Sequence, residues 1–148
     1  SEGSTGLADM SFDARKRVRG PTAVEPRAFP ATSPNAVAGE CAIVYKLTGP
    51  SFATGAGLDG ATEALAGAAE LLAAGDAPRM VVVAADDAGP VARDLLQAAG
   101  LADRPFARGA VALLLTTDEG GAEVDLDARP DHDRGPIGHL ALLRWLRP

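Results

Sequence analysis

A glycine-rich run in the first half of the chain, Gly55-Ala56-Gly57-Leu58-Asp59-Gly60, has residue types that could bind a phosphate. It matches the pattern G-x-G-x-x-G, whose glycines let the backbone approach a pyrophosphate at the start of a helix. A Rossmann domain normally opens with the strand before this motif and carries an acid about 20 residues further on. Here a whole predicted helix precedes the run, and the first acid after the next strand, Asp86, lies later than that spacing. Dinucleotide binding through Gly55, Gly57 and Gly60 is therefore an alternative interpretation.

Other polar residues could also take part in chemistry. Asp86 and Asp87 follow an apolar strand, and α/β domains bind ligands at the carboxyl ends of their strands, although solvated loop acids would have the same sequence. Asp131-His132-Asp133 contains metal-ligand residue types, but a polar loop explains it better, and we predict no metal site. His139 is expected to face solvent or to cap the last helix. Cys41, the only cysteine, excludes an internal disulfide and is predicted to be a small buried residue.

The composition indicates an acidic domain whose core is built from small aliphatic residues. The chain has 148 residues, of which 47% are hydrophobic and 4% aromatic, and its formal net charge is −6. Affinity for nucleic acid depends on cations that contact phosphates, so we expect no nucleic-acid partner. No apolar run reaches the ~18–20 residues of a membrane span, and the sequence shows no signal-peptide core. These features predict a soluble cytoplasmic protein with no membrane partner and a single domain over residues 1–148.

Turn signals and hydrophobic periodicity predict an alternation of helices and strands. Residues 1–30 are interrupted by glycine and proline and are expected to be irregular, with one short helix near Phe12–Val18. Further helices are predicted from Ser33-Pro34 to Gly49, from Asp59 to Gly75, over Pro90–Ala99 and over Ile137–Leu146. Strands are predicted over Arg79–Ala85, Ala110–Thr116 and Glu123–Leu126, and a polar loop over residues 127–136.

The strand around Met80–Ala84 sets the expected architecture. Because this run is continuously apolar, we expect a strand that is buried on both faces, as in a parallel sheet between two layers of helices. The alternating order of elements predicts an α/β fold with three layers and right-handed crossovers.

Several motifs resemble the N-terminal half of a β-ketoacyl synthase. Ser33-Pro34-Asn35-Ala36-Val37-Ala38-Gly39-Glu40, followed by Leu47-Thr48-Gly49-Pro50-Ser51, is similar to the T-x-P-N-x-x-A-G helix and the G-L-x-G-P-S turn of that family. Val81–Asp86 resembles its hydrophobic strand, Arg104-Pro105-Phe106 its R-P-F-D stretch, and Arg108–Leu115 its G-E-G-A-A-x-L-x-L strand. The resemblance implies a three-layer, thiolase-like half-domain with a mixed sheet covered by helices.

The resemblance also locates the position of the family's catalytic nucleophile. In that family a cysteine lies at a sharp turn into a long buried helix. Counted from Gly49-Pro50-Ser51, this position is Leu58, which cannot form a thioester. No Ser or Cys lies between Phe52 and Gly75. The family's catalytic histidines and lysine come from its C-terminal half, which is not expected in a chain of this length. The resemblance therefore implies no catalytic residue, no cofactor and no metal.

The implied function is that of a catalytically silent ketosynthase-like protein, a structural or interaction subunit in polyketide or fatty-acid biosynthesis. It would be similar to the chain-length-factor subunits of aromatic polyketide systems. The alternative is a condensing enzyme fragment, an acyltransferase of the ketosynthase type, completed by a partner chain. Ketosynthases dimerise through the strand before the nucleophile, which corresponds to Ser51–Gly57 and places Phe52, Ala53 and Thr54 at an interface. We therefore expect a homodimer, or a heterodimer with a ketosynthase, and acyl carrier protein is a further candidate partner.

Overall fold

The computed structural model describes residues 12–20, 35–54, 58–118, 123–125 and 135–146, together with isolated positions at 22, 26, 30, 33, 120, 121 and 127. The chain divides into two compact units, Ser1–Gly55 and Ala56–Pro148. This division does not test whether residues 1–148 fold as one domain, which stays a prediction.

The described residues of the first unit form two α-helices. Helix α1 covers residues 12–19, where one short helix was predicted. Helix α2 is Ala36–Tyr45. The helix begins later than the predicted start at Ser33-Pro34: its N-cap residue is Asn35, which makes no side-chain capping hydrogen bond. The Ser33 hydroxyl donates to Asn35 Oδ1 at 2.6 Å, and the Ala36 N–H donates to the Ser33 carbonyl at 3.0 Å.

Helix α2 ends four residues before the predicted stop at Gly49. Lys46 adopts the left-handed conformation, with φ of 53°. The Leu47 N–H then donates to the Ala42 carbonyl at 2.9 Å, which satisfies one of the free carbonyls at the end of the helix. The chain thus leaves the helix before glycine and proline are reached.

The predicted burial of Cys41 is wrong. Cys41 is exposed, and within α2, all of which the structure describes, no side chain is buried. The physical reason is that apolar residues occur on every side of α2, so the sequence specifies no single face for the core.

In the second unit, the part of the chain that the structure describes forms three helices and two strands. They are α3 (Gly60–Ala73), β1 (Arg79–Asp86), α4 (Pro90–Ala98), β2 (Gly109–Thr116) and α5 (His139–Trp145). The predicted strand Glu123–Leu126 is not formed: residues 123–125 have no strand structure, and Leu126 lies outside the described residues. The Asp125 carbonyl instead accepts a hydrogen bond from the Trp145 indole N–H at 3.0 Å. No helix in the described part of the chain combines the length and the hydrophobicity that a membrane span requires.

Strands β1 and β2 form an antiparallel pair, in register from Arg79 opposite Thr116 to Asp86 opposite Gly109. The expectation of a parallel crossover is therefore wrong for these two strands. β1 is also buried on one face rather than two, since Val81 and Val83 are 58% and 61% exposed. Side chains alternate between the faces of a strand, and helices α3 and α5 cover the other face.

The core of the second unit lies between this covered face and helices α3 and α5. Its two fully buried large side chains among the described residues are Leu65 of α3 and Leu142 of α5. Burial of such a side chain contributes about 1.5–3 kcal/mol. The buried cluster consists of Leu65, Ala68, Leu72, Ala77, Met80, Val82, Ala84 and Leu142. Helices packed on a sheet confirm the predicted α/β class.

Candidate functional site

Leu58, the residue at the predicted nucleophile position, lies in the turn directly before α3 and is half-buried. Asp59 follows it at the N-cap position of α3, where its side chain makes no capping hydrogen bond. The Asp59 carbonyl accepts hydrogen bonds from the Thr62 hydroxyl at 2.9 Å and from the Glu63 N–H at 2.8 Å. The turn that leads into helix α3 is therefore formed, and it carries the aliphatic side chain of Leu58. Because leucine has no lone pair, it cannot attack an acyl carbonyl.

The predicted interface residues precede this turn. Phe52 is 41% exposed, Ala53 is exposed and Thr54 is half-buried. Residues 51–54, which the structure describes, are not in a strand of this chain. Pairing of this segment with another chain stays a prediction.

The glycines of the alternative interpretation fall in the same region. Gly60 is the first residue of α3, whereas Gly55 and Gly57 lie outside the described residues. A Rossmann motif needs a strand directly before its glycines. The described residues 51–54 do not form one, so the structure adds no support for dinucleotide binding.

Asp86 and His139 are brought together at the carboxyl end of β1. Asp86 Oδ2 accepts two hydrogen bonds, from the backbone N–H and from the imidazole Nδ1 of His139, both at 2.7 Å. His139 is the first residue of α5 and is 5% exposed. Because a carboxylate only accepts, the imidazole donates to Asp86 through Nδ1–H. The expectation that His139 faces solvent is wrong, since Asp86 binds it from another element.

Two glycines make room for this pair. A Cβ atom at Gly109 would lie 2.6 Å from His139 Nε2, and a Cβ atom at Gly138 would collide with the Asp86 carboxylate. Gly109 is also the residue opposite Asp86 in the sheet. We call these four residues, Asp86, Gly109, Gly138 and His139, the β1–α5 junction.

Neighbouring hydrogen bonds join the same parts of the chain. The Arg104 guanidinium donates to the Gly135 carbonyl through Nε at 2.8 Å and through Nη2 at 2.6 Å. The Ile137 N–H donates to the Pro105 carbonyl at 3.0 Å. These bonds fix residues 135–137 beside residues 104–105, directly before α5 begins. Asp87, by contrast, pairs at 2.9 Å with Arg108 on the surface.

Asp86 and His139 are residue types that can act as an acid–base pair, but their arrangement is that of a structural contact. A general base must reach the proton that it removes. His139 Nε2 instead packs against the backbone of Gly109. The arrangement therefore positions α5 on the core, and the Asp86 carboxylate satisfies the first N–H of that helix.

Sequence reasoning selected Asp86 as the end of a strand but missed its partner. The two residues are 53 positions apart, and no local pattern connects them. Glycine directly before His139 is the one signal that could have indicated a close approach. Asp131, His132 and Asp133 lie outside the described residues. Among the described residues, no group of three or more His, Cys, Asp and Glu side chains could hold a metal ion.

Comparison with known proteins gives one family match. A family model described as the N-terminal domain of beta-ketoacyl synthase matches residues 15–136, which is more than half of the chain. The matched range includes the Ser33–Ser51 motifs, Leu58 and both strands of the sheet. A search of curated proteins gave no match to this sequence.

Proposed function

The chain belongs to the family of β-ketoacyl synthase N-terminal domains, and on this basis we propose that it is a catalytically silent member. It acts as a structural or interaction subunit in polyketide or fatty-acid biosynthesis. The observation that carries this proposal is Leu58, which lies at the turn into α3, the position that the count from Gly49-Pro50-Ser51 assigns to the family's cysteine.

The surroundings of Leu58 support the proposal that the domain keeps the fold of the family but lacks its nucleophile. Helix α3 begins at the expected residue, and its Leu65 is fully buried in the core. No Ser or Cys lies between Phe52 and Gly75, so a small shift in the alignment does not supply another nucleophile of these types. A domain that keeps this helix and lacks the thiol is suited to binding rather than to acyl transfer.

We expect the purified chain to stay unmodified when it is incubated with an acyl-CoA or with a mechanism-based ketosynthase inhibitor. Covalent catalysis needs an activated nucleophile, and residue 58 has none. Intact-protein mass spectrometry measures the modification. The assay uses a Cys41→Ala background, because the exposed thiol of Cys41 could react on its own.

The matched variant is Leu58→Cys in the same background. It is expected to gain slow thiol labelling at residue 58 but no condensation, since a single thiol does not supply the acid–base groups of a condensing site. Formation of a condensation product by the unmodified chain alone would contradict catalytic silence.

The proposed subunit role requires a partner, and we place the contact at Phe52, Ala53 and Thr54. Two features favour this segment: the Phe52 ring and Ala53 are exposed, and the three residues carry no charge. An unpaired segment without charged residues has little that prevents it from pairing with a strand of another chain. The partner is a second copy, related by a two-fold axis, or a full-length ketosynthase.

Replacing Ala53 with proline is expected to weaken this association, because proline removes a backbone N–H that a paired strand donates. Ala53→Ser keeps that N–H and serves as the control. Light scattering at micromolar concentration, on the chain alone and mixed with a ketosynthase, measures the assembly. A monomer under both conditions, unchanged by Ala53→Pro, would contradict the proposed contact.

A further inference from the structure

Strand β2 has one paired side and one open side. Among the described residues it pairs with β1 alone, without interruption from Gly109 to Thr116. We call the side of β2 that faces away from β1 the β2 edge. Natural proteins protect such an edge with charged residues, proline or a bulge. The sequence of β2, GAVALLLT, contains no charged residue and no proline, so nothing within the strand prevents another strand from pairing with it.

The core of the second unit is closed beneath β1 but open beneath β2. On the covered face, every side chain of β1 from Met80 to Ala84 is buried. The corresponding row of β2 packs against the same core but stays half-buried; its members are Val111, Leu113 and Leu115. Apolar surface therefore remains in contact with water at the β2 edge. A strand added there would remove that surface from water, which favours the association.

The sequence of β2 allows it to pair with itself. Residues that lie opposite each other in an antiparallel pair share one face of the sheet. Two β2 strands therefore keep their half-buried rows together when a two-fold axis passes through a residue rather than between two residues. An axis at Leu113 pairs the strand over residues 110–116. It sets Val111 opposite Leu115 of the second copy on the covered face, and Ala112 opposite Leu114 on the exposed face.

The same axis brings opposite charges together at both ends of the pair. Arg108 directly precedes β2, Asp118 follows it by two residues, and both are exposed. The axis at Leu113 brings Arg108 of each copy opposite Asp118 of the other. Arg108 donates to Asp87 through Nε, and its remaining N–H groups can meet a second carboxylate. Complementary charges of this kind fix the register and orientation of a contact.

We propose that β2 pairs with β2 of a second copy of this chain, antiparallel about a two-fold axis at Leu113. The result is a four-stranded sheet in the order β1-β2-β2-β1. Such a contact is isologous, because one surface serves both copies. The proposal goes beyond the proposed function, since it requires neither Leu58 nor the contact at Phe52, Ala53 and Thr54.

The test uses an Ala53→Pro background, in which the contact proposed for residues 52–54 is weakened. We expect sedimentation velocity to show a monomer–dimer equilibrium at micromolar concentration in this background. Hydrogen exchange, measured below and above the midpoint of that equilibrium, is expected to slow at the amides of β2 more than at those of β1. The slower exchange would identify which edge of the sheet is paired.

Two lysine substitutions form a matched pair. Ala112 in β2 and Ala85 in β1 are both exposed on the same face of the sheet. Ala112→Lys places an ammonium group beside Leu114 of the second copy and is expected to raise the Kd of the dimer at least about tenfold. Ala85→Lys adds the same charge away from the β2 edge and should change the Kd less than about twofold. Circular dichroism verifies that both variants fold.

Reversal of charge tests the register without a change inside the strand. Asp118→Arg sets like charges opposite each other at both ends of the pair and is expected to weaken the dimer about tenfold. Arg108→Asp/Asp118→Arg exchanges the two charges and should restore the Kd to within about threefold. Because both residues lie outside β2, this comparison holds even if Ala112→Lys does not fold.

Four results would overturn the proposal. The Ala53→Pro chain stays monomeric, Ala112→Lys and Ala85→Lys weaken the dimer equally, or Asp118→Arg leaves it unchanged. In the fourth, the amides of β2 slow only when a ketosynthase is added, which assigns the β2 edge to that partner. The acylation assay and the effect of Ala53→Pro on assembly do not depend on β2, so failure of this contact is distinguishable from failure of the proposed function.

Discussion

Replacing Asp86 with alanine is expected to lower the free energy of unfolding by about 2–6 kcal/mol. The carboxylate accepts both the backbone N–H and the imidazole Nδ1–H of His139. Removal of the acceptor leaves two donors without partners at a residue that is almost fully buried, and each such donor costs about 1–3 kcal/mol. Urea unfolding followed by circular dichroism measures the change.

The neighbouring carboxylate supplies the control. Asp87 pairs with Arg108 on the surface, so Asp87→Ala should cost less than about 1 kcal/mol. Equal losses for the two substitutions would mean that the Asp86–His139 contact does not stabilise the fold. In a His139→Ala background the cost of Asp86→Ala should fall, because the imidazole donor is already absent.

The helices of the second unit could be predicted because their ends depend on local chemistry. Asp59 before α3 and Pro90 at the start of α4 are residues that favour the beginning of a helix. Gly75 and Gly100 follow the same two helices with φ of +80° and +71°, a conformation in which glycine is favoured. These signals operate within a few residues and need no knowledge of the tertiary structure.

The pairing of the strands could not be predicted in the same way. The apolar run in β1 indicates a strand, but it does not specify direction or the number of covered faces. Val81 lies opposite Leu114 on the exposed side, and both are as apolar as the buried Val82. Which face is covered depends on where α3 and α5 pack, and that is decided by contacts between distant parts of the chain.

The predicted nucleophile position could be located from a local motif, whereas the β1–α5 junction could not. Leu58 was found by counting from the Gly49-Pro50-Ser51 turn, since the motif and the position belong to one short segment. The family match confirms the expected thiolase-like half-domain, and the assignment of Leu58 to the nucleophile position stays a prediction. Asp86 and His139 meet only because α5 returns to the end of β1, so their contact had no local signal.

Gly138 lies directly before α5, where the chain returns to the end of β1, and both its backbone angles and its neighbours restrict this position to glycine. Its φ and ψ are 63° and −135°, a combination that side-chain-bearing residues rarely adopt. Gly138→Ala is expected to lower the free energy of unfolding by more than the ~1–3 kcal/mol that such backbone strain costs alone. The added loss comes from collision of the new Cβ atom with the Asp86 carboxylate. Thermal and urea unfolding measure the total.

Two comparisons separate strain from collision. Gly100→Ala introduces a Cβ atom at φ of +71° with no atom within 4 Å, so it reports backbone strain without a clash. In an Asp86→Ala background the obstacle is gone, and the further cost of Gly138→Ala should shrink to that of its backbone conformation alone. If Gly138→Ala costs the same in both backgrounds, the carboxylate is not what excludes a side chain there. The junction would then depend on backbone conformation alone, because Asp86 would no longer explain why glycine precedes α5.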